Sequence, residues 1–216
     1  MTTSSTPAAP RGPGRRSLVR GAAWAAPIAM VGIAAPALAA SAQCAPQTAT
    51  TVQSAWSFTT PTPSINRWTA SYQPVALSPG IRYHDDYHGL LHVALLTDNP
   101  PGTGEHISTL LSPVACLAPG TYRFTFDARL VHSNPRPIRL EADVMYSTTG
   151  TAVGNTVHLV TTSGVNPTSH TETVTITISQ RTSVRFRYRW IFDGGYSGSL
   201  VADDIGVSAP RVAQTT

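Results

Sequence analysis

Between residues 82 and 92 the chain reads RYHDDYHGLLH. Three histidines, His84, His88 and His92, stand four apart, with Asp85 and Asp86 between the first two. Imidazole nitrogens and carboxylate oxygens are ligands for metal ions. On a strand alternate side chains share a face, which would align His84, Asp86, His88 and His92. On a helix a spacing of four aligns the histidines as well. His84 and His88 are therefore the candidate ligands of this stretch. The spacing matches no defined zinc motif such as H-E-x-x-H. The competing reading is a polar loop that leads into the apolar run from Leu90.

A second group is the arginine row of SVRFRYRW. Arg185, Arg187 and Arg189 alternate with Val184, Phe186, Tyr188 and Trp190. Such a row can meet an anionic glycan or an array of sugar hydroxyls. It can also pair across strands with Glu141, Asp143 and Asp127, and this structural use is the favoured one. The two are compatible where the pairs line a groove, so Arg187 and Arg189 are candidate ligand contacts. Sugar rings stack their C–H faces on aromatic side chains. Trp56, Trp68, Tyr72, Tyr83, Tyr87 and Tyr196 lie in stretches that read as loops or are ambiguous. Trp68, Tyr72 and Tyr87 are the favoured binding group, whereas Tyr188 and Trp190 belong to an apolar row and to the core. Signals for catalysis are poor. There is no G-x-S-x-G elbow. The carboxylate pairs Asp85/Asp86, Glu141/Asp143 and Asp203/Asp204 leave glycoside hydrolysis open.

These side chains need a frame, and the frame reads as strands. TYRFTFDARL alternates, with Tyr122, Phe124, Phe126, Ala128 and Leu130 on one face. PIRLEADVMY, TVHLVTT, TETVTITIS and SVRFRYRWIF follow, and SLVADDIGVS closes the series. LLHVALLT is nearly continuous in apolar residues, as expected of a strand buried on both faces. No window has helical periodicity with caps. Short strands between polar turns predict an all-β, two-sheet antiparallel sandwich in one domain. The expected partition is a signal peptide over 1–40, a linker over 41–51, the domain over 52–210 and a disordered tail over 211–216.

The leader has the parts of an export signal: RRSLVR, an apolar run of about 15 residues and Ala37-Leu38-Ala39 at the cleavage point. Arg15 and Arg16 before Ser17, Leu18 and Val19 fit the twin-arginine pattern. The apolar run is too short for a membrane span, and none is expected after the signal is removed. The chain has 15 arginines and no lysine; four arginines lie in the leader, leaving 11 against 11 acidic residues. A near-neutral domain does not support nucleic-acid binding. In an exported chain, Cys44 and Cys116 read as a disulfide.

The order of motifs resembles the jelly-roll carbohydrate-binding modules of the galactose-binding-like group. HGLLHVALLT, LLSPVACLAPGTYRFTFDARL, SVRFRYRW and LVADDIGVS carry the resemblance, over residues 52 to 208. It implies a sandwich of jelly-roll type. It also implies a structural calcium at the closing acids Asp203 and Asp204. Many such modules supply the other half of that site from an Asn-Gly-x-Phe-Glu segment. Here the corresponding stretch, VQSAWSFTTPTPSINRW, contains no acid. No other cofactor is expected. The reading is a secreted or cell-surface, non-catalytic binding protein for a polysaccharide or cell-surface glycan. The alternative is a structural or adhesive protein with a protein partner. A small hydrolase or lyase using His84 and His88 is the third.

Overall fold

A computed structural model of the chain describes residues 44–74, 80–96, 104–131, 137–161, 167–194 and 204–215. The leader and its export motif, Asp203 and Tyr196 lie outside the described residues. A short helix, α1 (Ala49–Trp56), opens the body. Among the described residues twelve strands follow: β1 (Thr69–Gln73), β2 (Ile81–Tyr87), β3 (Leu90–Leu96), β4 (Gly104–Leu111), β5 (Ala115–Leu117), β6 (Gly120–Val131), β7 (Ile138–Tyr146), β8 (Ala152–Val160), β9 (Thr168–Ile178), β10 (Thr182–Gly194), β11 (Asp204–Ser208) and β12 (Arg211–Thr215).

All strand pairings are antiparallel and form two sheets. The first runs β1-β4-β10-β7-β8, with β5 also on β10. The second runs β12-β6-β11-β3-β2, with β9 also on β6. Consecutive strands such as β6 and β7, or β10 and β11, lie in different sheets. The chain thus crosses between layers, and the fold is the expected sandwich of jelly-roll type.

The predicted alternation explains the core. Tyr122, Phe124, Phe126, Ala128 and Leu130 of β6 are buried, as are Val184, Phe186, Tyr188, Trp190 and Phe192 of β10. The two rows meet between the sheets, with Phe126 and Tyr188 rings 5.2 Å apart edge to face. On β3, Val93 to Leu96 are all buried. Ala94 and Leu96 face the main core, and Val93 and Leu95 join Tyr87 and Val131 in a second apolar cluster. That second cluster is why the run is continuous rather than alternating.

Two boundary expectations are corrected. The linker read over 41–51 contains the start of α1, capped by Thr48, whose hydroxyl accepts from the Thr51 N–H at 3.2 Å. Val52 and Trp56, one helical turn apart, are fully buried. Eight residues are too few for visible periodicity, and packing rather than propensity holds the helix. The tail read as disordered over 211–216 forms β12, paired with Thr121 to Thr125 of β6. Val212 is 8% exposed, so the strand is held by an apolar anchor and a hydrogen-bond ladder.

The Cys44–Cys116 disulfide is present and closes a separation of 72 residues. Beside it, the Gln47 N–H donates to the Cys116 carbonyl at 2.8 Å. One further link joins the layers. β8 is an outer strand of the first sheet and β9 of the second. The Asn155 side chain donates to the Thr173 carbonyl and accepts from the Thr175 N–H, at 3.3 and 2.6 Å. Its amide copies the backbone pairing that another strand would make. Gly154, at φ +79, lets the two strands approach; a Cβ there would stand 2.2 Å from the Thr175 carbonyl oxygen.

Candidate functional site

The outer face of the first sheet gathers the arginine row. On β10 the buried residues point inward, so Arg185, Arg187 and Arg189 point outward. Register places Arg187 opposite Asp143 and Arg189 opposite Glu141 on β7. Arg187 donates through Nε and Nη2 to both Asp143 oxygens, at 3.0 and 2.6 Å. Arg189 donates through Nη1 to Glu141 at 2.8 Å. The other Glu141 oxygen lies 3.4 Å from Arg139 Nε and 3.5 Å from His158 Nδ1. Asp143 is only 3% exposed although it lies on an outer face. The carboxylates are sunken between planar cations, a low-dielectric setting in which the pairs are strong and fixed.

Thr109 and Leu111 of β4 flank Arg189 and Arg187 on the other side, and Ser71 of β1 stands beside Thr109. At one end of the ladder lies a cavity of about 190 Å³, lined by Glu105, Arg139, Val160 and Ile191 among others. The face therefore offers aligned donors and acceptors, a hydroxyl margin and an apolar step at Val160. This is chemistry for holding a polyhydroxylated ligand. Both partner carboxylates are engaged by arginine, which suits holding rather than proton transfer.

The aromatic expectation is corrected in two places. Trp68 is 6% exposed; its ring stacks on Tyr188 and its Nε1 donates to the Trp56 carbonyl at 3.0 Å. Tyr87 is 9% exposed and lies against Gly206, where a Cβ would come within 2.7 Å of the ring. Neither ring presents a face for stacking. Both were read from ambiguous stretches, where no alternation marks the buried side. Tyr72 is half-buried on β1, and its hydroxyl accepts from the Ile81 N–H at 2.9 Å.

The histidine spacing is also corrected. His88 and Gly89 are the two central residues of the β2–β3 hairpin, at φ +52 and +83. That is the type I′ arrangement, which matches the twist of the strands it joins. The reversal sends His84 opposite Val93 and leaves His88 at the tip, so the histidines do not share one face. Among the described residues, no three His, Cys, Asp or Glu side chains gather closely enough to hold a metal ion. Asp204 starts β11 and has a partner of its own.

What the turn does assemble is a group the sequence reading missed. The Tyr83 hydroxyl donates to Asp85 Oδ1 at 2.7 Å and lies 2.7 Å from His92 Nδ1. Burial, then the hydrogen bond and charge of Asp85, push the Tyr83 pKa up to about 12. On the outer face of the second sheet, Arg211 of β12 donates to both Asp127 oxygens, at 2.7 and 3.3 Å. This hydrogen bond, with one from Thr171, holds the Asp127 carboxyl below the usual carboxylate range, against a smaller opposing effect of burial.

No family model and no curated protein matches the chain. Solved structures do. A structure concerning promiscuous specificity in carbohydrate-binding modules of the β-sandwich superfamily superposes at TM-score 0.50 and 13% identity, over 73% of this chain and 60% of that one. TmCBM61, solved with β-1,4-galactotriose, gives 0.45 at 12% identity, over 74% and 92%. TmCBM27, a mannan-recognising module, gives 0.43 at 12%, over 70% and 91%. The likeness is one of fold.

Proposed function

We propose that the protein is an exported, non-catalytic carbohydrate-binding domain that holds a polysaccharide or cell-surface glycan on the outer face of the first sheet. The observation that carries this reading is the ladder of Arg187–Asp143 and Arg189–Glu141 pairs. Each guanidinium is fixed by its carboxylate before any ligand arrives, which lowers the ordering cost of binding. Each arginine also keeps further N–H groups on its planar fork. Vicinal sugar hydroxyls match such closely spaced donors and acceptors. The fold likeness to carbohydrate-binding modules supports the ligand class, although fold alone does not fix function. Export is supported by the Cys44–Cys116 bond, since such bonds persist in oxidising compartments. A structural calcium at Asp203 and Asp204 is a separate proposal.

A glycan array, run with calcium and again with EDTA, tests the reading. The expected result is a reproducible polysaccharide signal that weakens about tenfold in Arg189→Gln, the worth of one charge-assisted hydrogen bond. Loss of signal in EDTA alone would bring a metal into the site. A blank array in both conditions would overturn the carbohydrate reading in favour of a protein partner.

A further inference from the structure

We propose that a second, smaller site lies on a corner of the sandwich away from the arginine ladder, and that it takes a single acidic sugar, a hexuronate. The corner holds a cavity of about 180 Å³ lined by Gln53, Phe58, Leu91, His92, Pro210 and Arg211 among others. That is room for about six waters, enough for one pyranose ring.

His92 is the first reason. It has φ +55, a conformation that side-chain-bearing residues avoid. The turn accounts for the same conformation at His88, but His92 lies within β3. Register is unbroken on both sides, with His84 opposite Val93 and Asp86 opposite Leu91. Such a conformation persists only where the surroundings over-determine it. Here Tyr83 does so, its ring nearly coplanar with the imidazole at 17° and its hydroxyl 2.7 Å from Nδ1. The hydroxyl proton goes to Asp85, so Nδ1 must carry the hydrogen of that contact. The neutral ring then presents Nε2 as an acceptor for a sugar hydroxyl.

The lining is the second reason. Among the described residues, Arg211 and His92 are its ionisable groups and no carboxylate lines it. The acids that partner them, Asp127 and Asp85, lie outside the lining. Arg211 engages Asp127 through Nη1 and Nη2, which leaves its Nε edge for a second carboxylate. The Gln53 carbonyl accepts from the Val212 N–H at 3.2 Å, which leaves the amide N–H groups as donors. A donor-rich rim at the Nε edge that Asp127 leaves open on Arg211 fits a ligand that brings its own carboxylate. Leu91, 58% exposed, gives an apolar wall for the C–H face of the ring.

The test is an NMR titration with glucuronate and with glucose, read at the Gln53 side-chain amide and the Arg211 backbone amide, which line the corner and are present in every variant. The protein is compared with His92→Gly and Leu91→Asp. Glycine suits the positive φ, so the first variant keeps the strand, and the second changes an exposed side chain. The expected result is saturable binding of glucuronate, about tenfold tighter than glucose and weakened by salt. Both variants should lose about tenfold or more. No binding, equal binding of the two sugars, or undiminished binding in either variant would overturn the proposal.

Discussion

At Tyr83 a phenol is held between an acid and an imidazole, and its ionisation is displaced to about 12. A pKa raised on folding stabilises the folded state fully below the ordinary value near 10. That contribution is lost as the pH rises through the folded value. Burial also raises Tyr122 and Tyr188, so ultraviolet titration should show several late phenols, of which Asp85→Asn brings one, Tyr83, down from near 12 toward the ordinary range. A titration identical in the protein and in Asp85→Asn would show that burial alone displaces Tyr83. Asp143 makes a second residue-scale prediction. It is 3% exposed and grips Arg187 with both oxygens, so Asp143→Ala leaves a half-buried cation without its partner. Urea unfolding should register a loss of about 3 kcal/mol. The Arg–carboxylate pairs were legible in the sequence because two clean alternations put like-spaced charges on facing rows. The Tyr83–Asp85–His92 group was not, because it depends on where the chain turns. Once His88–Gly89 is recognised as a two-residue reversal, counting outward brings Asp85 level with His92.

Strands were the most legible elements, since every alternating run became one. The helix and the last strand were not. α1 is about two turns ending at Trp56, and β12 is polar except for Val212 and Ala213. Both are stabilised by what they touch, which short-range pattern does not encode. Two element-scale predictions follow from turn and edge geometry. His88→Asn should stabilise the β2–β3 hairpin by about 0.5 kcal/mol, because Asn-Gly is favoured where both central residues have positive φ. Thermal unfolding checks this. Gly154→Ala should destabilise by more than about 2 kcal/mol. It forces a side chain into positive φ and against the Thr175 carbonyl, and the same assay reads it.

For the molecule as a whole, the sandwich was readable from composition and alternation, whereas the face that carries the ladder required knowing which strands are neighbours. The Asp127–Arg211 contact joins the last strand to the middle of the second sheet. Asp127 titrates below the ordinary carboxylate range when folded. Its contribution is present above that range and disappears as the pH falls through the folded value. The stability gap between the protein and Arg211→Gln should be full at neutral pH and close in acid. A gap that stays constant with pH would assign the loss to packing instead. Asn155 has the widest consequence. The outermost strands of a sheet are templates on which another chain can grow, and here one amide occupies that template between β8 and β9. A valine at this position would suit β structure better and still expose two ready ladders. Part of the protein's ability to remain dispersed when crowded at high concentration would then rest on the Asn155 side chain.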